Sequence, residues 1–184
     1  MRRILLPLPA VAVLLFASCA DNNERVNLGD MPAQRERCDV PAPPEGVSTV
    51  QVVFSCDEEP ASTWRPLADG TTDTLRFALE ALLEGPISAE QAVGLHSFFS
   101  AETGGMLNDV SVRDGVAYID FQDFSGIIPN ASTSAGSRQL LDQIAGTVFQ
   151  FDAIAEAELS FDRSCDAFWN WLQRGCERLT RSGS

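Results

Sequence analysis

The stretch NDVSVRDGVAYIDFQ, residues 108–122, constrains this chain more than any other. Two runs of alternating apolar residues are separated by Asp114 and Gly115. A two-residue Asp-Gly connection signals a type I′ hairpin, because both central residues must take positive φ. Val110 and Val112 precede the turn. After it, either Ala117, Ile119 and Phe121 or Val116 and Tyr118 supply the inward face, and a period of two leaves both choices open.

Around the hairpin the period changes. STVQVVFS, residues 48–55, is rich in β-branched residues and bounded by Gly46 and by Asp57, Glu58 and Glu59, as a strand would be. In TTDTLRFALEALLEGP, Leu75, Ala78, Leu79 and Leu82 fall at helical spacing. Thr71 or Thr72 can cap this helix, Asp73 favours its first turn, and Gly85-Pro86 ends it. Leu141, Ile144, Ala145 and Val148 form a second apolar face, with Ser134 or Ser137 as cap. In AEAELSF, Ala155, Ala157, Leu159 and Phe161 alternate with polar residues as a half-buried strand. The order β-α-β-β-α-β implies an α+β two-layer sandwich, a four-stranded sheet with two helices on one face, followed by a short cysteine-bearing C-terminal helix or loop. No internal repeat is present, which argues against a propeller or solenoid.

At the N-terminus, Arg2 and Arg3 precede an apolar run from Ile4 to Phe16 that ends in Ala17, Ser18 and Cys19. This is an export signal, too short for the roughly 20 residues of a membrane-spanning helix. The end of the run resembles the lipobox of bacterial lipoproteins, which implies cleavage before Cys19 and a lipid on its sulfur. Four regions follow: a lipoprotein signal peptide over 1–18, a polar, proline-bearing tether over 19–46, a folded domain over 47–163 and a C-terminal Cys/Trp extension over 164–184. Losing Arg2 and Arg3 takes the formal charge from −13 to −15. Such an acidic domain repels polyanions, which excludes nucleic acid as a partner.

With Cys19 lipidated, Cys38, Cys56, Cys165 and Cys176 form an even set, as two disulfides of an exported protein would. Three connectivities are open. Zinc is disfavoured: the cysteines lie 18, 109 and 11 positions apart, without a C-x₂-C pair, and His96 is the only histidine. No metal or other cofactor is expected. SCDAFWNWLQRGC, residues 164–176, places Phe168, Trp171 and Leu172 at helical spacing. A continuous helix would hold Cys165 and Cys176 roughly 16 Å apart at about 1.5 Å per residue, whereas a disulfide spans at most about 7 Å between Cα atoms. Either the helix breaks and the two pair, or it is whole and each pairs elsewhere. Phe168, Trp169 and Trp171 are candidate partner-binding anchors if they reach solvent.

Catalytic constellations are sparse. Asp120 and Asp123 are the best carboxylate pair for glycosidase chemistry, which needs one acid and one base or nucleophile. Such spacing is cheap in a chain with 26 acidic residues. His96 could act as a base, but no serine sits in a G-x-S-x-G elbow. No catalytic residue is assigned.

The element order, Leu82-Leu83-Glu84-Gly85-Pro86 and the run from Asp114 to Asp120 resemble the GerMN domain of sporulation and spore germination proteins, which also occurs in bacterial lipoproteins. The resemblance spans about Val50 to Phe161. It implies an extracytoplasmic module without known catalysis, similar to ring-building domains that pack against neighbours, so self-association is allowed. The resulting expectation is a non-enzymatic interaction or assembly module of the cell envelope, lipid-anchored at the extracytoplasmic face of the membrane, with an envelope protein as partner. The alternative is a glycan-binding or hydrolytic envelope protein using Asp120, Asp123 and the C-terminal tryptophans.

Overall fold

The computed structural model describes residues 38–181. The signal peptide, Cys19 and the tether up to residue 37 lie outside them. Strands β1 (Thr49–Cys56) and β2 (Glu59–Pro66) form an antiparallel hairpin. Helices α1 (Thr74–Glu84) and α2 (Ser88–Ala92) precede β3 (Leu107–Arg113) and β4 (Val116–Phe121). Helix α3 (Ser134–Val148) then leads to β5 (Glu156–Phe161), α4 (Cys165–Trp171) and β6 (Arg178–Thr180).

The second sheet has the order β3-β4-β5-β6, antiparallel except for the parallel pair β4–β5, which α3 connects as a crossover. Asp114 and Gly115 take φ of 51° and 79° at the β3–β4 turn. The inward face is Ala117, Ile119 and Phe121, all buried, with Ala157, Leu159 and Phe161 beside them in register. These side chains share one core with Leu79 and Leu82 of α1 and Leu140 and Ile144 of α3. Each of these Leu, Ile and Phe side chains contributes about 1.5–3 kcal/mol on burial.

The α+β class and the four-stranded sheet agree with the sequence; the membership of that sheet does not. Its fourth strand is β6, while β1 pairs with β2, a strand the sequence did not suggest. Asp57 and Glu58 take φ of 49° and 74° and make a two-residue turn without glycine. The other edge of β1 is occupied by α3 and by His96. Gln150 brackets Gln51, accepting from its N–H at 2.7 Å and donating to its carbonyl at 2.7 Å. Thr147 Oγ1 accepts from Val53 N–H at 3.0 Å. Ser55 and His96 exchange two backbone hydrogen bonds of 2.9 Å. With its donors satisfied this way, β1 has no need of a sheet neighbour on that side.

Helix α3 lies close enough to β1 that a Cβ on Gly146 would sit 2.7 Å from Val53 Cγ2. The caps also differ from expectation by a residue or more. Asp73 accepts from Arg76 N–H at α1, and Thr133 accepts from Gly136 N–H at α3, because Thr133 has the extended backbone an N-cap needs, whereas Ser134 and Ser137 lie within the helix.

Candidate functional site

Parity along the β1–β2 hairpin decides what β2 offers to solvent. Gln51, Val53 and Ser55 point their backbone groups away from β2, so their partners Trp64, Ser62 and Pro60 point theirs away from β1. Pro60 and Pro66 have no N–H at these outward positions, which blunts the edge at both ends. Between them stand Ser62 and Trp64, both exposed.

Beside this edge lies a groove of about 470 Å³, walled by Thr63 to Pro66 of β2, by Ile87, Ala89, Glu90 and Val93 around α2, and by Asp39, Val40 and Pro41. The last three belong to a strap held by the Cys38–Cys56 disulfide and by Cys38 N–H donating to the Val93 carbonyl at 2.8 Å. Trp64 is 37% and Ile87 55% exposed, two of the five exposed large apolar side chains among the described residues.

The floor of the groove is polar yet fully paired. Arg65 Nη1 donates to Glu90 Oε1 and Nη2 to Oε2, the latter at 2.8 Å. Thr63 Oγ1 donates to Oε1 at 2.5 Å and Ile87 N–H to Oε2 at 2.8 Å. Burial pushes the Glu90 carboxyl up, but the hydrogen bonds from Arg65, Thr63 and Ile87 and the Arg65 charge together outweigh it, holding Glu90 below its ordinary value. The pair therefore brings no free charge to the largely apolar groove, and the charge left on its wall is that of exposed Asp39.

The residues singled out from sequence fall elsewhere. Asp120 lines a larger polar cavity of about 630 Å³ with Asn108, Asp109, Asp162 and Arg163. Its Oδ1 accepts from Ser160 Oγ at 2.7 Å and Arg163 N–H at 2.6 Å, and its Oδ2 from Asn108 Nδ2 at 3.1 Å. Oδ1 thus ties β4 to the end of β5 and to the turn after it, where Asp162 and Arg163 take φ of 47° and 69°, while Oδ2 ties β4 to β3. Asp123 accepts from Ser125 N–H at 2.8 Å and does not line that cavity. His96 is exposed, with Gln139 Nε2 3.3 Å from its Nε2. Among the described residues, no three His, Cys, Asp or Glu side chains form a metal-binding group, and no helix is long and apolar enough to cross a membrane.

The C-terminal extension resolves the choice the sequence left open. Helix α4 stops at Leu172, Gln173 takes φ of 60°, and Cys176 returns to pair with Cys165 at a Cα separation of 5.5 Å. Phe168 and Trp169 are fully buried, which corrects their expected role as partner-binding anchors: apolar rings drive α4 inward against β5. Phe168 packs on Phe161 at 5.0 Å between centroids, and half-buried Trp171 meets Phe124 at 5.7 Å. The Trp169 Nε1–H has no hydrogen-bond partner among the described residues, a cost of about 1–3 kcal/mol that the packing offsets. Trp64 was the tryptophan to notice. Its signal is STWRP, one large aromatic among polar residues and prolines, where no core helix or strand asks for it.

The fold is similar to the tandem GerMN domains of the sporulation protein GerM from Bacillus subtilis, with 16% identity and a TM-score of 0.56 over 77% of this chain. The chain spans about half of that structure, 49% of its length. The first GerMN domain of the same protein matches with 20% identity and a TM-score of 0.46, covering 63% of this chain and 84% of that one. A putative lipoprotein from Clostridium perfringens matches with 19% identity and a TM-score of 0.41, covering 65% and 77%. No curated protein sequence matches significantly. The family described as Germane, sporulation and spore germination, matches residues 45–163, well over half of the sequence, and the chain belongs to that family.

Proposed function

We propose that this protein is a non-catalytic interaction module of the bacterial cell envelope, anchored through a lipid on Cys19 at the extracytoplasmic face, which binds an envelope protein through the Trp64 groove. The observation that carries the reading is the groove itself: exposed Trp64 and Ile87 line a cleft whose buried Arg65 and Glu90 neutralise each other. Apolar side chains left outside next to an unused core-like cleft are what an interaction surface offers. The export-type N-terminus, the paired cysteines and the family support the compartment.

Amine crosslinkers are unsuited to the test, since the sequence contains no lysine. A photoreactive residue at Ile87 in the anchored, full-length chain is expected to give a discrete crosslinked product in cells, while one at exposed Val112 on β3 gives none. The same background from both positions would defeat the proposal. In cells fed a labelled fatty acid the parent should take up label and Cys19→Ser should not; a parent that takes up no label would remove the lipid anchor.

A further inference from the structure

We infer that the partner inserts an extended, apolar segment bearing arginine or lysine, which adds as a short strand to the outer edge of β2 at Ser62 and Trp64. This rests on the interaction-module reading above. The hairpin has two edges, and that of β1 is filled by Gln150, Thr147 and His96. On β2, the outward N–H and C=O groups of Ser62 and Trp64 face away from β1, unpaired by the ladder. An extended chain is the partner that satisfies such groups, by main-chain hydrogen bonds with alternate side chains falling into adjoining pockets. Pro60 and Pro66 lack the donors that would let pairing run further, so the added strand is limited to the window between them.

Charge chooses among extended segments. Three charged residues line the groove, Asp39, Arg65 and Glu90, and the last two consume each other. Asp39 is exposed, without an ion-pair partner among the described residues, and the chain carries 26 acidic residues against 13 arginines. A cationic side chain beside Asp39 is therefore favoured and an acidic one repelled. The apolar side chains of the segment would pack against Trp64 and Ile87.

The test uses the Ile87 photocrosslink in the full-length anchored protein. Ser62→Pro removes the outward N–H without touching the β1 ladder, and is expected to cut the product at least tenfold, whereas Ser62→Ala retains it. Asp39→Arg is expected to cut it severalfold, and mass mapping of the crosslinked partner peptide is expected to find arginine or lysine within the contacted segment. Unchanged thermal unfolding of the purified Ser62→Pro protein shows that the hairpin is intact. A product that survives Ser62→Pro, or a mapped peptide that is acidic, overturns strand addition while leaving the interaction module standing. Loss of any Ile87-specific product in the parent protein overturns the module reading, and this inference with it.

Discussion

Arg65 grips Glu90 through both terminal nitrogens of its guanidinium, and this bidentate pair ties β2 to α2 along the groove. Glu90 is 5% and the Arg65 side chain 14% exposed, so removing one partner strands a largely desolvated charge. Glu90→Gln is expected to cost about 3 kcal/mol in urea unfolding at pH 7. Replacing both residues by Leu and Met should cost less, because no charge is then left without a partner. The pH dependence follows from the lowered carboxyl of Glu90, ordinarily 4.5. Its stabilisation is whole above that unfolded-state value and is lost as pH falls through the lower folded-state value. Wild type and Glu90→Gln should therefore converge in stability under acid, and a constant difference down to about pH 2 would contradict the assignment.

Gly146 offers a sign reversal that packing alone predicts. In an exposed helix, glycine to alanine stabilises by about 1 kcal/mol. Here the new Cβ would lie 2.7 Å from Val53 Cγ2 and 3.1 Å from Val53 Cβ, and a β-branched side chain inside a strand has no rotamer to retreat to. Gly146→Ala is expected to destabilise by about 1–3 kcal/mol. Val53→Ala, itself destabilising, should make the second substitution nearly neutral, a coupling that a double-mutant cycle of urea midpoints would measure.

What the sequence makes legible follows from where the forces are local. The Asp114-Gly115 turn and the alternation of Ala157, Leu159 and Phe161 each state their structure within a few residues, and both appear as expected. Strand β2 does not announce itself, because EPASTWRP lacks an apolar period and its turn uses Asp57 and Glu58 rather than glycine. Gln143 and Thr147 look like a solvent face of α3, yet they are buried: Thr147 hydrogen-bonds the edge of β1, and Gln143 Nε2 donates to Ser55 Oγ at 2.7 Å. Only tertiary packing reveals that role. The groove was hidden for the same reason, since its walls come from the strap, β2 and α2, and no single segment of the chain carries its chemistry.

A glycan hydrolase would need Asp120 and Asp123 to act as a pair, one as acid and one as base or nucleophile. Asp120 spends both oxygens on Ser160, Arg163 and Asn108, whereas exposed Asp123 accepts from the Ser125 N–H alone among the described residues. Asp120→Ala is expected to lower stability by about 1–3 kcal/mol, as the Arg163 N–H and the Ser160 hydroxyl lose their acceptor. Asp123→Ala should stay within about 0.5 kcal/mol of the parent. Thermal unfolding of both variants checks this, and glycan pull-downs that lose binding with either, at unchanged stability, would revive the hydrolytic reading.

The two disulfides close loops of similar size, separations of 18 and 11 residues, so chain entropy gives each roughly the same weight, about 3 kcal/mol. Their local consequences differ. Cys165–Cys176 holds α4 and its buried Phe168 and Trp169, far along the sequence from the groove. Cys38–Cys56 fixes the strap that forms one groove wall, which is otherwise held by the Cys38 N–H to Val93 bond and by packing of Cys38 and Val40 on the core. Replacing Cys38 and Cys56 by serine should thus free Asp39, Val40 and Pro41 from the groove and expose Trp64 further. Replacing Cys165 and Cys176 should leave Trp64 unchanged. Acrylamide quenching reads this directly when Trp64→Phe is used to subtract the other two tryptophans. A Trp64 signal that responds equally to both pairs of substitutions would mean that the strap is held by packing and not by its disulfide. Oxidation would then play no part in shaping the groove.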